Sequence, residues 1–248
     1  MKTTVIIQAR VGSTRLHRKV LLDLGGQSVL SRVIERLQHC QRVDQVVVAT
    51  TDLALDDAIV DEAHRCQTTV VRGSEADVLA RYYQAASHVG ATDIVRVTAD
   101  CPLIDPLLID RIIEEFHKRR DAGAPLDYFS NVHPRTFPRG LDAELFTMEA
   151  LRIAHREAEA TLEREHVTPF FYLNPDRFVM DNYVQQVDQS ALRWTLDEPA
   201  DMAFFQAVFR KISPEQFIGT ETVLSLLKKH PEIGRINAHV EQKKLKAA

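Results

Sequence analysis

Val5-Ile-Ile-Gln-Ala-Arg-Val-Gly-Ser-Thr-Arg-Leu-His-Arg-Lys-Val-Leu-Leu22 places four cations and a glycine directly after a short apolar, β-branched run. Val5 to Ile7 read as a buried strand, and a helical pattern from Ser28 to Leu37 follows Gly25 and Gly26. The basic loop thus lies where a parallel sheet hands over to its first helix, a place where backbone amides converge and phosphates bind. Arg10, Arg15, Arg18 and Lys19 surround Gly12, Ser13 and Thr14. Forked guanidiniums, hydroxyls and amides on one loop suit a polyphosphate. A solvated basic loop is the alternative, and the position after a buried strand weighs against it. The loop is not a Walker P-loop, because GxxxxGK with a following Ser or Thr is absent and Val20 follows Lys19. A dinucleotide GxGxxG fingerprint is absent too.

Working outward, apolar runs at Val46 to Ala49, Thr69 to Val71 and Ile94 to Val97 alternate with amphipathic segments at Ala54 to Arg65, Asp77 to His88 and Pro106 to Arg119. Continuous apolar strands separated by helix-length segments predict an α/β fold, with a parallel sheet covered on both faces and ligands at the carboxyl ends of the strands. After Asp121-Ala-Gly-Ala-Pro125 the pattern becomes mixed. Tyr128 to Val132, Leu141 to Thr147 and Arg177 to Tyr183 read as strands, and Met148 to Ala160 and Glu165 to Leu173 as helices. Leu192 to Thr195 is expected to return to the sheet, with helices at Pro199 to Arg210 and Thr222 to Lys229. The reading is one domain over 1–248: a βα nucleotide-binding core (1–122), an α+β acceptor or dimerisation insertion (123–191), a return to the core (192–240) and a frayed tail (241–248).

With 248 residues, 45% of them hydrophobic, one core suffices, and no Pro/Gly/Ser-rich linker divides the chain. A formal net charge of −4 argues against a nucleic-acid polymer as partner, which needs an extended basic face. Cys40, Cys66 and Cys101 show no CxxC spacing, so neither zinc nor a disulfide framework is indicated and a cytoplasmic setting is expected. No signal-peptide pattern or membrane-length apolar run is present.

Two aspartates stand at strand ends. Ile94-Val-Arg-Val-Thr-Ala-Asp100-Cys-Pro puts Asp100 just beyond a buried strand, where it is either a ligand for a hard cation such as Mg²⁺ or a turn or cap residue. Arg193-Trp-Thr-Leu-Asp197-Glu-Pro-Ala-Asp201 repeats that topology at Asp197, with Asp201 either a substitute ligand or a residue stabilising the first helical turn. Between them, Arg72-Gly-Ser74-Glu-Ala-Asp77-Val-Leu-Ala-Arg81 offers a turn and helix start fit to meet a base and ribose, or an ordinary capping stretch. Arg135, Arg139, Asp142 and Glu144, with Arg164, Glu165 and His166, mix charges as an acidic sugar would require, or form a charged surface loop. His166 invites a general-base role, although a lone histidine is more often structural.

The ordered set of motifs resembles the sugar cytidylyltransferases, which include the enzymes that make CMP-activated Kdo and neuraminic acids, and most of all the branch typified by the spore-coat polysaccharide protein SpsF. Gln8-Ala-Arg-Val-Gly-Ser-Thr-Arg-Leu with Lys19 carries the likeness, which runs to about Phe209 through Arg72 to Tyr82, Asp100 to Pro102, Arg139 to Glu144, Arg164 to Thr168 and Thr195 to Asp201. One departure is that His17-Arg18 stands where the family has Pro-Gly. The resemblance implies a Rossmann-like, glycosyltransferase-A-like three-layer fold and a homodimer. It also implies nucleotide contacts from Gln8, Ala9, Gly12, Ser13, Arg72, Ser74, Asp77 and Arg81, with pyrimidine recognition around Arg72. Asp100 and Asp197 would share one magnesium, Arg10, Arg15 and Lys19 would hold the departing pyrophosphate of CTP, and Arg139, Asp142, Glu144, Glu165 and His166 would meet a small acidic sugar. The rival readings are a nucleotidyltransferase with another nucleotide or a phosphonate acceptor, a non-catalytic nucleotide-binding protein, and a glycosyltransferase, for which no well-spaced DxD motif is present.

Overall fold

The computed structural model describes residues 1–13, 15–213 and 216–242, so Thr14 and the tail residues 243–248 lie outside the described residues. Four strands, β1 (Thr3–Gln8), β2 (Gln45–Thr51), β3 (Thr69–Gly73) and β4 (Asp93–Thr98), pair in parallel through the crossover helices α1 (Val29–Gln38), α2 (Asp57–Arg65) and α3 (Val78–Val89). A fourth long helix, α4 (Pro106–Asp121), leaves the end of β4. Val5, Ile6 and Ile7 are wholly buried, as are Val47 and Val48, because helices cover both faces of the sheet.

The insertion extends this sheet instead of forming a separate one. Its strands are β5 (Tyr128–Ser130), β6 (Glu144–Thr147) and β7 (Met180–Asn182), which give the order β3-β2-β1-β4-β6-β5-β7. β6 runs antiparallel to both β4 and β5, and β5 pairs in parallel with β7. Between them lie α5 (Met148–Glu157), α6 (Thr161–His166) and α7 (Pro169–Tyr172). The helix expected over Glu165 to Leu173 is therefore two short ones. They break at Val167, whose φ of 70° and ψ of −65° place it in a tight, strained turn that directs His166.

Leu192 to Thr195 does not rejoin the sheet as a strand. It lies as a single bridge beside Arg139, with the Arg139 N–H donating to Leu192 O (2.9 Å) and the Trp194 N–H to Arg139 O (2.6 Å). The chain then enters α8 (Pro199–Lys211), α9 (Thr220–Lys229) and a short α10 (Pro231–Arg235) not expected from the sequence. Gln242 accepts a hydrogen bond from Arg193 Nη1 (2.5 Å) and so is not part of a frayed tail. Among the described residues, no helix is long and apolar enough to cross a membrane.

The bridge at Arg139 depends on Gly140. Its φ is 101°, and a Cβ there would lie 2.0 Å from Trp194 O and 2.9 Å from Thr195 N. Backbone cannot yield as a flexible side chain does, so Gly140→Ala should cost at least about 2 kcal/mol in chemical denaturation. A loss under about 0.5 kcal/mol would contradict this close approach.

Candidate active site

The carboxyl ends of β1 and β4 lie side by side, with Gln8 in register with Thr98, and the basic loop leaves the first of them. Lys19 opens a 3₁₀ turn (Lys19–Leu21), and its Nζ donates to Asp100 Oδ2 at 2.6 Å and to Asp197 Oδ1 at 2.8 Å. Arg15 joins them, with Nη2 3.0 Å from Asp197 Oδ1 and Nη1 3.0 Å from Glu198 Oε1. Two acidic residues 97 positions apart in sequence thus meet at one ammonium, and a phosphate-type loop supplies it. Thr98 Oγ1 donates to the other oxygen of Asp100 at 2.6 Å.

Burial alone would lower the Lys19 pKa, but the charges of Asp100 and Asp197 override it and hold the ammonium above its ordinary 10.5. Burial alone would raise Asp100, and the Lys19 charge with its hydrogen bond and that of Thr98 holds it below 3.8. Asp201, opposed by the same burial penalty, is lowered by Arg193, by Asn237 and by the backbone N–H groups of Asp197 and Glu198. Those two N–H groups reach Asp201 Oδ2 at 2.9 Å each. Asp201 therefore stabilises the first turn of α8 and is not the substitute metal ligand.

Two adjoining hollows share this centre. One, of about 480 Å³, is lined by Gln8, Arg10, Gly12, Ser13, Arg15, Lys19, Asp100, Glu165 and His166, among others. The other, of about 870 Å³, is lined by Arg139, Asp142, Glu144, Asp197 and also by Arg96, Arg135, His133, Tyr172 and Gln242. Gln8, Arg15, Thr98, Asp100 and His166 border both. Burial, followed by the nearby charges of Arg96 and Arg10, lowers the His166 pKa below 6.5, leaving a neutral imidazole between the chambers at neutral pH.

Not every expected residue faces these chambers. Ala9 is buried, and its N–H ties β1 to Ala49 O (3.1 Å). Arg72 donates to Thr51 O, Leu53 O and Asp57, organising the 51–57 turn. Asp56 of that turn accepts from the Val11 N–H at 2.6 Å, so Arg72 supports the basic loop from behind. Asp77 caps α3 through the Ala80 N–H (2.9 Å) and pairs with Arg164. Ser74 Oγ accepts from the Asp77 N–H (3.2 Å). Arg81 is fully buried beneath the Gly73 to Glu75 turn, where Nη1 reaches Ser74 O at 2.8 Å while Nε and Nη2 find no partner among the described residues. Arg18 is exposed and borders neither chamber, and it takes the left-handed φ of 52° at the position where Gly would be easiest.

In the larger hollow Asp142 is engaged by a two-pronged Arg135 contact (Nη2 to Oδ2, 2.7 Å), and Glu144 pairs across the strands with Arg96 (2.5 Å) and accepts from the Tyr128 hydroxyl (2.7 Å). Among the described residues the Arg139 guanidinium makes no ion pair or side-chain hydrogen bond, and burial followed by the charge of Arg135 lowers its pKa. Arg96 and Arg193 were missed as centre-building residues, whereas Arg135, expected in the mixed-charge set, lines the larger hollow and grips Asp142. A charge inside the apolar run Ile94-Val-Arg-Val was the available signal for Arg96; none marks the fan of bonds at Arg193.

A cytidylyltransferase family model matches residues 4–228. The chain belongs to the cytidylyltransferase family. It is similar to the uncharacterized protein MJ1063 of Methanocaldococcus jannaschii, at 36% identity over 98% of this chain and 97% of that one. It is also similar to the spore coat polysaccharide biosynthesis protein SpsF of Bacillus subtilis, at 29% identity over 92% and 94%. A solved cytidylyltransferase from Leptospira borgpetersenii superposes with a TM-score of 0.90 at 32% identity, covering 99% of this chain and all of that one. The chain is a nucleotidyltransferase, and the mostly parallel seven-stranded sheet is that of the Rossmann-like nucleotidyltransferases.

The residues present would fit the magnesium ion that the resemblance implies. Asp100 and Asp197 each turn an oxygen onto one small cation, here an ammonium, and Mg²⁺ typically takes one or two protein carboxylates and completes its shell with water and phosphate oxygens.

A depressed carboxylate contributes stability that is complete above its unfolded pKa near 3.8 and is lost as pH falls through the folded value. The stability gap between wild type and Asp201→Asn should therefore stay constant from about pH 5 to about pH 8 and shrink below about pH 4 in urea titrations. A gap unchanged at about pH 3 would show that Asp201 is not the charged anchor described.

Proposed function

We propose that this cytidylyltransferase transfers CMP from CTP to a small acidic sugar, in a Mg²⁺-dependent reaction that releases pyrophosphate and supplies an activated sugar for surface polysaccharide synthesis. The observation that carries the reading is the convergence of Lys19 and Arg15 on Asp100 and Asp197, beside a chamber holding the uncommitted Arg139 guanidinium.

In this reading the basic-loop chamber takes the triphosphate and the larger chamber the acceptor. An acceptor hydroxyl attacks the α-phosphorus in line, the bond to the bridging oxygen breaks, and pyrophosphate leaves. Arg10, Arg15 and Lys19 hold the β and γ phosphates, turning from carboxylate partners to phosphate oxygens. Asp100 and Asp197 would hold Mg²⁺, whose chemistry when bound is neutralisation of charge on the reacting and leaving phosphate oxygens. The turn over Gly73 to Asp77, propped by Arg81 and by the Asp77–Arg164 pair, presents backbone to the base. Arg139, rimmed by Arg135 and Arg15, meets the acceptor's carboxylate, and Asp142 and Glu144 meet its hydroxyls. Neutral His166 contributes a hydrogen bond where the two substrates join.

The test is pyrophosphate release with each of the four nucleoside triphosphates and Mg²⁺ against a panel of acidic sugars, phosphonates and neutral sugars. CTP with an acidic sugar is expected to lead, and Arg15→Ala and Lys19→Ala to slow turnover by about 10²- to 10³-fold. Intact turnover in both variants would remove the loop from the chemistry. Nucleotide binding without pyrophosphate release from any acceptor would leave a binding protein.

A further inference from the structure

The carboxylate that completes the candidate metal pair is held by Arg193, which is in turn held by residues past the end of the family match. Asp197 turns Oδ1 toward Lys19 and Oδ2 toward Arg193 Nη2, 3.0 Å away. Arg193 is itself buried, and its remaining donors are fixed. Nε and Nη2 grip Asp201 at 2.9 Å each, and Nη1 donates to Gln242 Oε1 at 2.5 Å. Asn237, only 3% exposed, donates through Nδ2 to both Arg193 O and Asp201 Oδ1, each at 3.0 Å. One amide thus ties the start of the 193–201 turn to its end, and a second amide fixes the guanidinium between them.

The family match ends at residue 228, whereas Asn237 and Gln242 lie past it, and Gln242 also borders the acceptor chamber. We propose that residues 237–242 are part of the active site, with Asn237 and Gln242 as positioning residues that set the Arg193–Asp201 frame and, through it, the orientation of Asp197 toward the metal. The inference rests on the reading of Asp100 and Asp197 as the Mg²⁺ pair.

The geometry gives the mechanism. A carboxylate with one oxygen anchored by a guanidinium presents the other in a fixed direction, and outer partners of this kind typically alter metal affinity by 10- to 100-fold when removed. Asn237 touches neither chamber, so its loss leaves the base and phosphate contacts in place. Deletion of its two hydrogen bonds frees Asp201 and Arg193 to tilt, and Asp197 with them.

The full-length protein and its Asn237→Leu and Gln242→Ala variants should be compared in three measurements: Mn²⁺ affinity in the presence of CTP by electron paramagnetic resonance, CTP affinity in EDTA by calorimetry, and thermal unfolding. The expected result is a roughly 10-fold weaker Mn²⁺ site in Asn237→Leu and a roughly 3-fold weaker one in Gln242→Ala, with metal-free CTP affinity within about twofold of wild type. Unchanged Mn²⁺ affinity in the variants, while wild type binds Mn²⁺ with CTP, overturns the inference. Parallel loss of Mn²⁺ binding, metal-free CTP binding and thermal stability in Asn237→Leu marks a structural prop and also overturns it. If that variant does not fold, Gln242→Ala decides by the same Mn²⁺ comparison. Failure of the wild type to bind Mn²⁺ with CTP removes the metal-pair reading itself, and this inference with it.

Discussion

One ammonium, Lys19 Nζ, sits between two carboxylates delivered by separate parts of the chain, and the arrangement of the molecule follows from that contact. A buried carboxylate pair with no cation would repel and lose solvation, and a buried lysine without partners would lose its charge. Together they are stable, and Arg15 and Arg193 complete the neutralisation on either side of Asp197. The same balance gives the site its capacity. Where an ammonium is held by two carboxylates, the metal-bound triphosphate of the proposed reaction would present both a cation for the carboxylates and anions for Lys19 and Arg15.

The sheet makes this meeting possible. β1 and β4 are neighbours and parallel, so the basic loop after β1 and Asp100 after β4 emerge at the same edge. β6 then runs backwards beside β4, so Glu144 faces Arg96 across the register and the larger hollow opens next to the basic loop. The segment carrying Asp197 is not fixed by the sheet. Among the described residues the Asp197 N–H finds no strand carbonyl and donates instead to Asp201 Oδ2, while the Leu196 N–H donates to Asp100 O at 2.9 Å, so the two aspartates are linked through the main chain as well as through Lys19.

Much of this was legible in order along the chain. Apolar runs set the first four strands because both faces of the sheet are covered, and strand-end placement marked Asp100 and the basic loop. Glycine-like behaviour was harder to read: Arg18 holds the left-handed conformation that glycine adopts most easily, which its residue type does not announce. The roles of Arg72 and Asp77 were not legible, since whether a guanidinium faces a cleft or carbonyls behind a loop depends on tertiary packing at 51–57 and on Arg164. Leu192 to Thr195 reads as a strand because it is apolar and buried, but its partner is a lone bridge to Arg139 over Gly140. Asn237 and Gln242 carry no signal, because an amide acquires meaning only from the groups brought to it.

The most direct measurement is a double-mutant cycle on the ligand-free protein with Lys19→Met and Asp197→Asn, read by urea denaturation. Residues in direct contact couple by about 0.5 to 3 kcal/mol, and a half-desolvated ion pair belongs in the upper part of that range, so a coupling of at least about 1 kcal/mol is predicted. A coupling below about 0.3 kcal/mol would contradict the convergence of the basic loop and Asp197 on one site.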